Sequence, residues 1–184
     1  MYDMPQVMIP DDLFERAKKH AEPLVDTFES VLARALDALD AASDVKTSGP
    51  KLHYDAASAP DLSFTTVKHA IVNGNALPPA KTYWNNILLA VVSSSAQHGA
   101  VTKQIASKLL VNHVVGRKEA GGYRYVPEAN ISVQGQDANG AWKATYFLAR
   151  EFGIKVEVKF LWQNNPKAAN PGLTGNLSVG DIFD

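Results

Sequence analysis

Within ten residues, Gln134 to Lys143, the chain places Gln134, Gly135, Gln136, Asp137, Asn139, Gly140 and Lys143. Planar amides such as Asn and Gln carry a donor and an acceptor side by side, which is what reading a base edge requires. Lysine supplies a phosphate contact, and the glycines allow another backbone to come close. More residues of the same kinds flank the stretch. Arg117, Lys118, Tyr123, Arg124 and Tyr125 precede it; Lys155, Lys159, Gln163, Asn164, Asn165 and Lys167 follow. The candidate DNA-contacting set is therefore Arg117, Lys118, Arg124, Gln134, Gln136, Asn139, Lys143, Asn164, Asn165 and Lys167, with double-stranded DNA as the partner. A plainer role stands beside this one: Asp137 or Asn139 caps a helix and Trp142 belongs to a core.

A second constellation points to different chemistry. Glu157-Val158-Lys159 fits the acid-x-Lys half of a Mg²⁺-dependent nuclease site of restriction type, in which an upstream acid shares the metal. Asp137, 20 residues earlier, has usable spacing. Three features oppose it. No proline precedes Asp137, a helical pattern intervenes where a hairpin is expected, and Glu157 and Lys159 share the side of a strand opposite its apolar residues. His20, His53, His69, His98 and His113 show no metal-ligand spacing, the serines at 93–95 lack a nucleophile-elbow motif, and the glycines fit no phosphate-loop fingerprint. No cofactor and no metal are expected.

These residues need elements to hold them. Ile131 and Val133 alternate with Ser132 and Gln134, and Tyr123–Val126 precedes them across a turn, so a hairpin is expected over 123–134. The segment "GAWKATYFLAREFG" reads as a helix ending at Gly153. "IKVEVKFLW" reads as a strand with Ile154, Val156, Val158 and Phe160 on one face. "TYWNNILLAVVSSSAQHG" reads as a buried helix, and "AVTKQIASKLLVNHV" as another, with Thr102 a candidate N-cap. "LSFTTVKHAIVNG" suits a short helix or a strand, and "LSVGDIF" an edge strand. Together these elements predict an α+β domain with a small, mostly antiparallel sheet.

The charge is divided along the chain. Its 184 residues sum to −1, but residues 1–61 hold −6, while residues 62–180 carry twelve Lys and Arg against five Asp and Glu, +7. A basic unit suits nucleic acid and an acidic one does not. No apolar run reaches membrane length, no signal peptide is expected, and a cytoplasmic location is the default. The absence of cysteine excludes disulfides and thiolate metal sites.

The acidic segment begins with Gln6, Val7, Met8 and Ile9, an alternating pattern suited to a short strand. Pro10-Asp11-Asp12 then opens a helix, Pro23 closes it, and Val31, Leu32, Ala35, Leu36 and Leu39 form a second apolar stripe. About 40 residues bury too little to stand alone. With Asp11-Asp12-Leu13-Phe14, Ser30 and Val31-Leu32-Ala33-Arg34 in this order, the segment resembles the N-terminal oligomerisation module of the SeqA replication regulators, itself similar to the ribbon–helix–helix fold. The resemblance covers about a fifth of the chain. It implies a homodimer through Val7, Ile9, Leu13, Val31 and Leu32. The loop at 134–143 also resembles small α+β modules found with bacterial restriction–modification proteins.

The expected organisation is a ribbon–helix–helix-like dimerisation module at 1–42, a linker at 43–61 and a basic α+β domain at 62–184. The expected role is DNA binding in replication or transcription control, or in host defence with modified DNA as a target. A Mg²⁺-dependent nuclease and a protein-interaction module are the alternatives.

Overall fold

The computed structural model describes residues 8–19, 27–28, 31–33, 35 and 52–180. The chain divides into two units, Met1–Ser48 and Gly49–Asp184. In the first, helix α1 spans Asp11–Lys18, with Asp11 and Asp12 in the first turn and Arg16 and Lys18 toward the end, where each sign suits the helix dipole. Phe14 packs on Phe28 at 5.8 Å between ring centroids. Residues 31–33 and 35 are helical and Val31 is buried. Met8, Ile9, Phe14 and Leu32 are exposed. Gln6, Val7 and the side chain of Leu13 lie outside the described residues; Met8 and Ile9, the other half of the expected strand, are not in a strand.

The second unit is α+β, with two sheets. Strands β1 (Leu52–His53), β2 (Thr65–Val72), β3 (Asn75–Ala76), β7 (Val156–Trp162) and β8 (Thr174–Val179) form the larger, in the order β1-β8-β7-β2-β3. Only β1 runs parallel to its neighbour, β8. Strands β4 (His113–Val115), β5 (Tyr123–Val126) and β6 (Ile131–Gln134) form an antiparallel sheet ordered β4-β6-β5. The hairpin of β5 and β6 has the bounds expected from its alternation.

Helices α2 (Trp84–Gln97), α3 (Thr102–Lys108) and α4 (Ala138–Phe152) complete the unit. One face of β7 carries Val156, Val158, Phe160 and Trp162, all buried, because the strand's period of two sends every second residue to the core. From the helices come Ile87, Leu88, Val91, Ala141, Trp142 and Leu148. Trp84 joins the layers, 5.9 Å from Trp142 and 5.4 Å from Phe160 between ring centroids. Helix α4 starts where Asp137 Oδ1 accepts from the Gly140 amide at 2.7 Å, and ends at Gly153 in the left-handed region (φ +62°).

Three expectations are corrected. Residues 52–61, read as the end of a linker, belong to the domain. Leu52 and His53 pair with β8, Trp142 Nε1 donates to the Ala56 carbonyl at 3.0 Å, and Trp162 Nε1 donates to the Asp61 carbonyl at 2.9 Å. The segment is polar because it crosses the surface, yet buried indole N–H groups need acceptors and its carbonyls supply them. Strand β8, read as an edge, is covered by β1 on its outer side. Thr102 is not the cap of α3. Val101 holds that position, its amide donating to Gln104 Oε1, while the Thr102 hydroxyl donates to Ala129 O.

Candidate nucleic-acid interface

The small sheet gathers the cations. Its three strands leave Val133 and Ile131 facing the core and Ser132 on the opposite face. The loop between β4 and β5 folds over that second face. Ser132 Oγ donates to Gly116 O and accepts from the Lys118 amide, both at 2.7 Å, and Gln134 Nε2 donates to Gly121 O at 3.2 Å. Gly121 and Gly122 both take positive φ, +67° and +76°, which lets the loop turn straight into β5.

This fold-over sets cations against rings. Lys118 Nζ stands 3.9 Å from the centroid of Tyr123, and the Arg117 guanidinium 5.7 Å from that of Tyr125. Arg124 lies 5.7 Å from the Tyr83 ring and donates to its hydroxyl at 3.0 Å and to Asn86 Oδ1 at 3.3 Å. The Arg124 hydrogen bond, helped by its charge, holds the Tyr83 phenol below its ordinary pKa. Arg117 also pairs with Glu119 at 3.1 Å. All three cations are exposed. Between this sheet and the start of α2 opens a cleft of about 350 Å³.

The other expected residues separate by role. Gln134 is half-buried and spent on structure: its Oε1 accepts from Asn112 and its Nε2 holds Gly121. Gln136 is gripped by Asn85, whose side chain accepts from its amide and donates to its carbonyl, and its own amide donates to the carbonyls of Gln134 and Gly135. Asn139 ties down the turn at 61–63. Its Oδ1 accepts from the Leu62 amide at 2.8 Å, and its Nδ2 donates to Asp61 Oδ1 at 2.7 Å. That bond, with the Ser63 amide, lowers the Asp61 pKa. Lys143 is exposed on α4, beside the wall of residues 56–62. Asn164 and Lys167 are exposed in the loop after β7, where Asn165 Oδ1 accepts from the Lys167 amide. Gln163 joins that loop to Phe64 O at 2.8 Å.

Arg117, Lys118 and Arg124 thus form one group around the small sheet. Asn139, Lys143 and the 163–167 loop border the 61–64 turn. The stretch 134–139 runs from one group to the other.

No family model, curated protein or solved structure matches this chain.

Asp137, Glu157 and Lys159 are not brought together. Asp137 is the cap of α4, on the helical layer, whereas Glu157 and Lys159 lie on the face of β7 turned away from that layer. There Lys159 stands in register with His69 on β2 and Asn176 on β8, and Asn176 with His53 on β1. Among the described residues no group of three His, Asp or Glu side chains could hold a metal ion.

Sequence reading missed Tyr83, Asn85 and Asn86, which it placed in a buried helix without a role. A signal was present: two consecutive asparagines in a helix's first turn are poor helix formers, favoured where their amides serve neighbouring backbone or side chains.

Proposed function

We propose that the chain is a DNA-binding regulatory or accessory protein that dimerises through its acidic N-terminal unit and contacts duplex DNA with the basic α+β domain. The observation that carries this is that Arg117, Lys118 and Arg124, all exposed around one small sheet, each stand against a tyrosine ring: Tyr125 and Tyr123 on β5, and Tyr83 at the start of α2. Stacked cations are held in place before a phosphate arrives, so little side-chain freedom is lost on binding. Lys143 and Lys167 extend the positive surface along the second group, and the excess of +7 over residues 62–180 supplies the wider field. No helix among the described residues is long and apolar enough to cross a membrane.

Dimerisation is supported by exposed Met8, Ile9, Phe14 and Leu32 in one short unit. The nuclease reading gains no support from Asp137, which is committed to a helix cap.

Fluorescence anisotropy with short duplexes, methylated and unmethylated, at several salt concentrations tests the reading. Binding should fall steeply with salt. A folded full-length chain that binds no duplex at low salt would refute it.

A further inference from the structure

Strand β4 has β6 on one side and, among the described residues, no strand on the other, so one of its edges is open. The pairing with β6 decides which backbone groups face that edge. The Gln134 amide donates to Asn112 O at 2.9 Å and the Gly116 amide to Asn130 O at 2.8 Å, at the two ends of the register that sets Val114 opposite Ser132. Hydrogen-bonded positions alternate along an antiparallel strand, so Asn112, Val114 and Gly116 bond to β6 while His113 and Val115 turn N–H and C=O outward. The next outward carbonyl, that of Val111, accepts from His113 Nδ1 at 2.9 Å. The free edge is thus His113 and Val115. Natural edge strands are usually guarded by a lysine, a proline or a bulge. Here the strand is His-Val-Val, with Val114 37% and Val115 58% exposed, and Leu110 just before it is 55% exposed.

We propose that β4 pairs antiparallel with β4 of a second copy about a two-fold axis at Val114, joining two three-stranded sheets into one. An edge with free groups on two residues spaced by one is self-complementary: His113 of each copy exchanges both its bonds with Val115 of the other. β-Branched valines suit a paired strand, and Val114 then faces Val114, an apolar pair with no charge to repel it. This contact is separate from the N-terminal dimer and does not depend on it. It sets the Arg117, Lys118 and Arg124 groups of two copies on one sheet.

The chain has no cysteine, so a single introduced thiol reports the register. At Val114 the two Cα atoms stand ~4.5 Å apart in this pairing, inside the span of a disulfide. Val115, although more exposed, stands ~7–8 Å from its own copy, past that span. With oxidised glutathione, full-length Val114→Cys should therefore form a disulfide-linked dimer roughly tenfold faster than Val115→Cys, both melting as wild type does. A Val115→Cys rate as high as that of Val114→Cys would mean random collision and overturn the pairing. Cross-linking at neither position would leave the edge to a strand of another protein and overturn it too. A second route avoids cysteine. Ile9→Lys removes the N-terminal contact, so the dimer that remains in sedimentation at high concentration should be lost on adding Val114→Lys, which sets like charges face to face. Ile9→Lys chains that stay monomeric at every concentration, or a double variant that still dimerises, would likewise count against β4 pairing.

Discussion

Asn85 and Gln136 exchange two hydrogen bonds, each 2.8 Å long: the Asn85 amide oxygen accepts from the Gln136 N–H, and its amide nitrogen donates to the Gln136 carbonyl. A side chain on α2 thus stands in for a strand partner just where β6 has ended and α4 has not begun. Removing it leaves two half-buried backbone groups without their protein partners. Asn85→Leu should cost about 2–6 kcal/mol, from ~1–3 kcal/mol for each unsatisfied group. Thermal melts check this; a loss under about 0.5 kcal/mol would mean that water replaces both bonds.

Asn139→Ala should cost more than a lost helix cap, which is worth ~1 kcal/mol. Asp137 is the cap, and Asn139 instead anchors Leu62 and Asp61. The loss should also change the acid limb of stability. The Asp61 carboxyl is lowered in the folded chain, chiefly by Asn139. Its contribution is therefore present above the unfolded value, about 3.9, and disappears as pH falls through that value and then the folded one. Melts from pH 7 to pH 3 should show a shallower acid decline for Asn139→Ala than for wild type.

Gly175 faces Phe160 across the β7–β8 pair, and a Cβ there would meet the ring at 2.5 Å. Phe160 is fully buried and cannot swing away. Gly175→Ala should destabilise the domain by about 1–3 kcal/mol through overpacking. Combined with Phe160→Leu, it should cost less than the sum of the two single changes. Additive losses would show that the ring moves aside freely.

Lys118→Ala should weaken binding to all duplexes alike and reduce the salt slope by about one unit, with a melt within ~0.5 kcal/mol of wild type. Arg124→Ala should do the same to binding and, in addition, return the Tyr83 phenol toward its ordinary pKa. A spectroscopic alkaline titration reads that shift separately from DNA affinity.

Glu157→Gln should leave duplex binding unaltered, since Glu157 lies on the face of β7 turned away from the helices. Mg²⁺-dependent plasmid cleavage by the wild type, abolished in this variant, would establish the nuclease alternative.

Where local pattern decides, the sequence was readable. The alternation of Val156, Val158 and Phe160, the hairpin of β5 and β6, and the helix from Ala138 to Phe152 follow from periodicity and caps. Residues 52–61 were not readable as domain, because what holds them is two indole N–H groups and a parallel pairing with β8, far off in the chain. The site divides the same way. Arg117, Lys118 and Arg124 were visible as exposed cations. The structural duties of Gln134, Gln136 and Asn139 depend on Asn112, Asn85 and Asp61, whose distance along the chain hides them.

The aromatic joint at the centre of the domain has a spectroscopic consequence. All three tryptophans of the chain, Trp84, Trp142 and Trp162, are buried within the second unit, with the Phe160 ring packed at a steep angle against two of them. Indole emission therefore samples one small volume, where helices meet sheet. Opening that joint should redden the emission strongly, while any event confined to the N-terminal unit, including its self-association, should be dark to it.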